Sequence, residues 1–285
     1  MNIDLRTWDV GAVVSSPKGC VQHMVEMVQA SWANGADVVL FPEYSLMSLE
    51  RFVPDQDKLA GVAALFWETL WPELQLLLSA PGKAVVFGTA PWIAEDGSMR
   101  NRAPILCEGT PTYQDKIFLT PWETGFTGGR EVRLFTLQGI TFAVVICLDI
   151  EIPELSAALR GKGVDAILVP SATESLMGVD RIGRCASARA IELGCYVGIA
   201  HLVGKTVSEL VDDNVGRLGW FAPAQLPFAN LDREHCTPVF HEGFEHLRVH
   251  LDKRLLEKMR ARRLETNPAL LTMDGGVELR IVRPA

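Results

Sequence analysis

The stretch Ile140-Thr-Phe-Ala-Val-Val-Ile-Cys-Leu-Asp-Ile-Glu-Ile-Pro-Glu154 decides how the chain is read. An apolar, β-branched run of the length of a buried strand ends at Cys147. Acidic residues follow at once. Pro153 can open a helix, because its missing N–H falls where no helical acceptor exists. Cys147 is therefore predicted on a tight strand-to-helix turn at the carboxyl end of a strand, where open α/β folds place their chemistry. A core thiol is the competing reading, since free cysteine is among the most buried residue types.

Around this stretch the chain reads as alternating strands and helices. Upstream, Val132 to Leu137 forms a hairpin with it about Gln138-Gly139. Downstream, a short helix from Pro153 to Leu159 leads to a strand from Val164 to Ser171. That strand has a counterpart. Gly163-Val-Asp-Ala-Ile-Leu-Val-Pro-Ser171 aligns position by position with Gly35-Ala-Asp-Val-Val-Leu-Phe-Pro-Glu43, which points to two similar halves. In the first half a strand is expected over Asp9 to Val14. A helix follows, capped by Ser16 with Pro17 at its first position and ended by Gly35. The strand Ala36 to Phe41 then delivers Glu43. Tyr44 to Ala80 reads as mostly helical, with Ala60, Ala63, Ala64, Trp67 and Leu70 on one stripe and an interruption at Pro72. Ala84 to Gly88 is a strand. Ala103 to Cys107 and Thr112 to Phe118 make a hairpin about Glu108-Gly109, with Lys116 near its end and Glu123 in the loop beyond. In the second half a helix from Arg181 to Leu193 and a strand from Cys195 to Val203 precede an irregular region, residues 204–250, with two or three edge strands. Asp252 caps a last helix that buries Leu255, Leu256 and Met259. The pattern is a layered α/β sandwich in a single domain over residues 1–285, with a tail from about residue 265.

Composition narrows the function. In 285 residues, 48% are hydrophobic and 22% charged, which describes an ordinary globular protein. A net charge of −8 argues against nucleic-acid and anionic-membrane partners. No run reaches membrane-spanning length. The start, Met1-Asn-Ile-Asp-Leu-Arg6, lacks a secretory pattern. Six cysteines without a Cys-x-x-Cys pair imply a reducing, cytoplasmic setting.

Glu43, Lys116 and Cys147 share a property: each ends or interrupts an apolar strand. Charged groups so placed need partners, and these three can partner one another. The chemistry of the trio is coherent. A thiol with a reference pKa of about 8.5 is mostly protonated at neutral pH. A carboxylate can take its proton during attack. An ammonium and the N–H of Leu148, the residue after the nucleophile, can hold an oxyanion. Separately, each residue also fits an ordinary role: a solvated loop carboxylate, an exposed hairpin lysine and a core thiol.

Four segments together resemble the nitrilase superfamily of carbon–nitrogen hydrolases. Phe41-Pro-Glu43 is similar to the general-base motif. Lys116-Ile-Phe-Leu-Thr-Pro-Trp-Glu123, with Phe126 and Gly129, is similar to the lysine segment. Ile146-Cys-Leu-Asp-Ile-Glu-Ile-Pro-Glu154 is similar to the nucleophile segment. Arg189-Ala-Ile-Glu192 with Tyr196-Val197 is similar to the helix-and-strand signature that follows. The similarity runs from about Val10 to about Arg260. It implies a four-layer αββα sandwich of two similar halves, pairing into an eight-layer homodimer. It implies Cys147 as nucleophile, Glu43 as general base, Lys116 as oxyanion stabiliser, and Glu123 as a second glutamate that positions the lysine or assists proton transfer. No metal or organic cofactor is implied. The activity implied is hydrolysis of a small carboxamide or N-carbamoyl compound through a cysteine thioester, releasing ammonia or an amine. A nitrile hydrolase, an N-acyltransferase and a non-catalytic dimeric scaffold are the alternatives.

Several positions depart from the family pattern. Leu148 stands where many members carry Tyr, Trp or Asn, His201 where many carry Asn, and Gly216-Arg-Leu218 replaces a Gly-x-Ser element. The usual arginine-rich tail motif is missing beyond Arg263, leaving Asn267-Pro-Ala-Leu270. The sequence Asp149 to Glu154 resembles the amidase-type branches more than the true nitrilases. It also resembles a branch sometimes joined to an acetyltransferase-like domain, which is not expected here. Tyr44, Trp122, Thr173 and Glu174 are candidates for substrate binding, because each neighbours a catalytic candidate or a strand end. A thiol-protease pairing of Cys147 with His201 is weighed against a core histidine, which the apolar strand around His201 favours. Asp149, Glu151 and Glu154 read as turn-fixing and helix-capping carboxylates rather than metal ligands. His235, His241, His246 and His250, with Cys236, lack zinc-like spacing. Arg181, Arg184 and Arg189 read as ion-pairing residues on one helix.

Overall fold

The repeated Gly-x-Asp turn explains how both halves are built. In the computed structural model, which describes residues 1–54 and 56–262, Asp37 donates its N–H to Asn2 O, accepts Asn2 N–H on its side chain at 2.9 Å, and receives Ala84 N–H on its carbonyl. Asp165 does the same with Thr141, on both groups, and with Tyr196. One aspartate thus joins three neighbouring strands in each half. The preceding glycines, Gly35 and Gly163, take the positive φ that the turn requires.

The elements follow in chain order. Strands β1 (Asn2–Arg6) and β2 (Trp8–Asp9) precede helix α1 (Pro17–Ala33) and strand β3 (Val38–Leu40). A 3-10 segment (Ser45–Phe52), helix α2 (Lys58–Ala64), a π-turn (Leu65–Leu70) and helix α3 (Trp71–Leu77) come next. Strands β4 (Ala84–Val86), β5 (Ala90–Ile93), β6 (Met99–Cys107) and β7 (Thr110–Asp115) complete the first half. The second half contains β8 (Leu134–Leu137), β9 (Ile140–Val144), a 3-10 turn (Cys147–Glu151), α4 (Pro153–Leu159), β10 (Ala166–Ser171), α5 (Leu176–Leu193) and β11 (Tyr196–Lys205). Strands β12 (Asp213–Asn214), β13 (Gly219–Phe221), β14 (Glu234–Cys236), β15 (His246–His250) and helix α6 (Lys253–Arg260) follow.

The strands form two mixed sheets. One runs β15-β1-β3-β4-β6-β5 with β7 beside β6; the other runs β14-β13-β11-β10-β9-β8 with β12 and β2 beside β11. Period-two alternation sends Val38 and Leu40 into the core between the sheets, where Phe142, Val144 and Leu168 meet them. Val39 and Phe41 point the other way, into a core with α1 and the helices after residue 58. On the second sheet α4 and α5 cover the outer face. The four layers are therefore α, β, β, α, as expected. The sheets approach closely at Gly198, where an added Cβ would lie 3.0 Å from Leu5 Cδ2 and 3.1 Å from Trp220.

Several boundaries differ from the sequence reading. The strand expected over Asp9 to Val14 ends at Asp9, the last residue of β2, because the Asp9 side chain accepts Gly11 N–H and its carbonyl accepts Ala12 N–H, which turns the chain. The first strand is Asn2–Arg6; its buried Asp4 is matched by Arg248 of β15. The helical region after Tyr44 is broken at the 3-10 segment. Its stripe shifts because Pro72 has no N–H to give and a π-turn precedes it; Ala64 is exposed while Val62, Phe66 and Leu74 are buried. β5 was not anticipated, and β6 begins at Met99, four residues earlier than expected. Residues 204–250 contain four strands rather than two or three, and β15 closes the first sheet against β1. Helix α5 starts earlier than expected, at the Ser175 cap. In α6, Leu256 and Met259 are buried and Leu255 half-buried. The tail from about residue 265 lies outside the described residues.

Candidate active site

Glu43 follows Pro42 at the end of β3. Gly88 backs this corner: a Cβ there would fall 1.9 Å from Pro42 O, so only glycine fits. Tyr44 holds a left-handed φ of 59° and gives its N–H to Thr89 Oγ1. Lys116 comes just after β7, its N–H bound to Asn101 O and its carbonyl to Gly129 N–H. Cys147 opens the 3-10 turn after β9 with φ of 48°, a conformation that costs a non-glycine residue about 1–3 kcal/mol. Leu148 is second in that turn, a position whose N–H has no acceptor within the helix.

These strand ends bring Glu43, Lys116, Glu123 and Cys147 together, all buried. Lys116 Nζ lies 2.8 Å from Glu43 Oε1 and 2.9 Å from Glu123 Oε2. Asn101 Nδ2 donates to both carboxylates, at 2.9 and 3.0 Å. Tyr44 donates its hydroxyl to Glu123. The Thr120 N–H and hydroxyl also donate to Glu123, which closes a turn over Pro121 and Trp122. Ala172, just beyond β10, serves both remaining groups. Its N–H donates to Glu43 Oε2 at 3.1 Å and its carbonyl accepts the Cys147 thiol at 3.4 Å.

The electrostatics separate the two glutamates. Burial pushes the Glu43 carboxyl up, against the pull of Lys116. Burial acts on Glu123 in the same sense, but Lys116 and the bonds from Tyr44 and Thr120 outweigh it and hold this carboxyl below its ordinary value. Burial would lower the Lys116 ammonium, yet Glu43, Cys147 and Glu123 together hold it above the usual lysine value. Burial, with the charge of Glu43, raises the Cys147 thiol. The two carboxylates around one cation are thus pushed apart, with Glu43 the more basic of the pair and Glu123 the more firmly ionised.

A cavity of about 310 Å³ opens onto this group and is lined by Leu148 and by all four candidate binding residues, Tyr44, Trp122, Thr173 and Glu174. The Tyr44 hydroxyl is engaged by Glu123, and Thr173 Oγ1 by Val215 O at 2.9 Å. Trp122 is exposed at the mouth.

His201 is far in role from the thiol. It is fully buried, hydrogen-bonded through Nδ1 to Arg217 O at 2.7 Å, and burial pushes it down to about 4. It is a core histidine. His235, His246 and His250 lie exposed on edge strands, and no metal-holding group of His, Cys, Asp or Glu occurs among the described residues. Arg181 pairs with Glu151 and Arg184 with Asp180, while Arg189 holds the carbonyls of Ile150 and Glu151.

Two contributors escaped the sequence reading. Asn101 lies in the part of β6 that precedes the expected hairpin arm, and Ala172 acts through its backbone alone. Asp149 does more than fix a turn: it accepts the N–H groups of Ile117 and Phe118 at 3.1 and 2.7 Å, tying the lysine segment to the cysteine turn. Burial, against those two bonds, raises its carboxyl to about 7. Asp149→Ala should lower stability by roughly 1–3 kcal/mol through the stranded N–H groups and reduce turnover by freeing the lysine segment. Between pH 4 and 7 the native state holds a proton on Asp149 that the unfolded chain has lost, so this group makes stability fall as pH rises. Thermal midpoints across that range should show a flatter slope in the variant.

The chain belongs to the carbon–nitrogen hydrolase family, whose model matches residues 5–222. It is 30% identical over 200 residues to the probable hydrolase YhcX of Bacillus subtilis, an alignment covering 68% of this chain and 39% of that protein. The chain thus spans well under half of that relative. It is 26% identical over 196 residues to the deaminated glutathione amidase of Synechocystis, covering 62% of this chain and 69% of that one. Among solved structures, Saccharomyces cerevisiae Nit3, a member of branch 10 of the nitrilase superfamily, superposes with a TM-score of 0.69 at 20% identity over 93% of this chain and 95% of that one. An amidase from Nesterenkonia sp. gives 0.69 at 21% identity over 92% and 94%.

Proposed function

We propose that this carbon–nitrogen hydrolase cleaves a small amide, a carboxamide or N-carbamoyl compound, through a thioester on Cys147. The observation that carries the reading is the Lys116 ammonium held between Glu43 and Glu123 at 2.8 and 2.9 Å, beside a buried thiol. As Cys147 Sγ attacks the carbonyl carbon, Glu43 accepts the thiol proton. Lys116 Nζ and the Leu148 N–H hold the oxyanion. Glu43 returns the proton to the nitrogen, the C–N bond breaks, and ammonia or an amine leaves. Water then gives a proton to Glu43 and attacks the thioester, which releases the acid and restores the thiol.

Amidases among the similar structures support amide over nitrile chemistry; one bears acrylamide on its active-site cysteine. The same reading makes residues 1–285 one catalytic domain, acting as a homodimer. All six cysteines are free, which fits a reducing, cytoplasmic setting. Among the described residues no helix is long and apolar enough to cross a membrane.

The test is a panel of short amides, nitriles and N-carbamoyl compounds, followed by ammonia release and intact mass. Amide turnover with an acyl adduct on Cys147 is expected. No adduct and no turnover across the panel would leave a binding scaffold, and products formed only with an added amine would mean acyl transfer.

A further inference from the structure

The cavity above the thiol has an uneven charge, and its imbalance describes the substrate's far end. Beyond the reacting group, its wall carries three charged residues: Glu151, Arg181 and Glu174. Arg181 is committed to Glu151 at 3.0 Å, so that pair is neutral. Glu174 has no hydrogen-bond or ion-pair partner among the described residues. Its neighbours are Asp212 and Asp213, and of these Asp213 is paired with Lys205 at 2.6 Å. Partial burial and both aspartates hold the carboxyl of this largely exposed residue above its ordinary value. The backbone of Thr173, the residue before it, is fixed by Val215 N–H, so the carboxylate hangs from an anchored corner.

The approach repeats this sign. A second cavity, of about 640 Å³, shares Trp122 and Leu210 with the first. Its wall brings Asp57 and Glu209, and Lys58 on the same wall lies 3.3 Å from Glu50. Among the described residues, every cation on the two outer walls is thus ion-paired, while Glu174, Asp57 and Glu209 pair with no cation. A ligand carrying its own positive charge is favoured in such a cleft, and an anionic one is repelled.

We infer that Glu174 is a specificity-determining residue and that the amide cleaved carries a cationic group, an ammonium or guanidinium, on the end remote from the scissile bond. The inference rests on the amide reading above. Unlike a leaving-group preference, it concerns a part of the substrate that does not react.

Three amides of equal chain length test it, ending in ammonium, methyl and carboxylate. An exposed charge pair is worth up to about a fivefold change, so kcat/KM should fall by about two- to fivefold from ammonium to methyl, and further to carboxylate. Glu174→Gln should collapse the ammonium preference, and added salt should erode it in the unaltered protein. Equal kcat/KM for all three, preference for the carboxylate, or a ratio unmoved by Glu174→Gln would overturn the inference. Turnover of the methyl-ended amide reads the chemistry separately. If no amide turns over, calorimetric binding of the same three compounds still reads the charge preference: tighter ammonium binding that Glu174→Gln abolishes sustains it, and its absence defeats it.

Discussion

Glu43→Gln should cut kcat/KM by about 10²- to 10⁴-fold and remove the acidic limb of the pH profile. The substitution keeps the shape of the side chain and an oxygen for Lys116 and Asn101. It deletes the carboxylate proposed above to take the thiol proton. It also turns an amide N–H₂ towards the Ala172 N–H that now meets Glu43 Oε2 at 3.1 Å. Because burial raises Glu43, the unaltered protein should lose activity as pH falls through a midpoint above the ordinary carboxylate range: the base is ionised above that midpoint and protonated below it. Asp149, raised to about 7, is the rival origin of such a limb. Profiles of kcat/KM against pH for the two proteins separate them. A limb that survives Glu43→Gln with appreciable turnover would assign it to Asp149 and deny Glu43 the role of base. Lys116 retains Glu123 at 2.9 Å in this variant, so the loss of stability should be smaller than when the lysine itself is removed.

How much of this was legible depended on the range over which each signal acts. The Asp37 and Asp165 turns could be matched in sequence because each lies within a nine-residue repeat, and the structure gives them the same three bonds. Cys147 and Glu43 stood out because a polar group at the end of an apolar run breaks a local pattern. Asn101 did not: Met99-Arg-Asn-Arg102 shows no apolar alternation, and Asn101 is buried only because its amide bridges two carboxylates from other segments. β1 was missed for a related reason. Asp4 and Arg6 look solvated in a local window, yet Asp4 is buried against Arg248 at the other end of the chain, and Arg6 bonds Ser31 of α1. Ala172 leaves no mark in the sequence, since any residue but proline supplies the same N–H and carbonyl there.

Lys116→Met carries the largest combined effect on stability and turnover, and it shows that the two are separable. Methionine fills the space of the lysine stem but leaves Glu43 and Glu123 facing each other in a buried site without their cation. Breaking a buried ion pair by removing one partner costs about 3–5 kcal/mol. The cost should depend on pH in a definite direction. With Lys116 present, Glu123 is held below its ordinary value, so its contribution to stability is full above the unfolded pKa and is lost as pH falls through the folded one. Without Lys116 both carboxyls rise, and one can be protonated. The variant should therefore come nearest to the unaltered protein in acid and fall furthest behind in alkali, as read from denaturant midpoints across that range. Turnover should drop by at least the 10²- to 10³-fold that one lost oxyanion donor costs, and by more where Glu43 is left protonated. Adding Glu123→Gln to Lys116→Met removes the second unpaired charge. The double variant should regain part of the stability, a coupling that a double-mutant cycle measures, while turnover stays lost. If turnover returned with stability, the lysine would be a structural counterion alone and the oxyanion would be held elsewhere, on the Leu148 N–H.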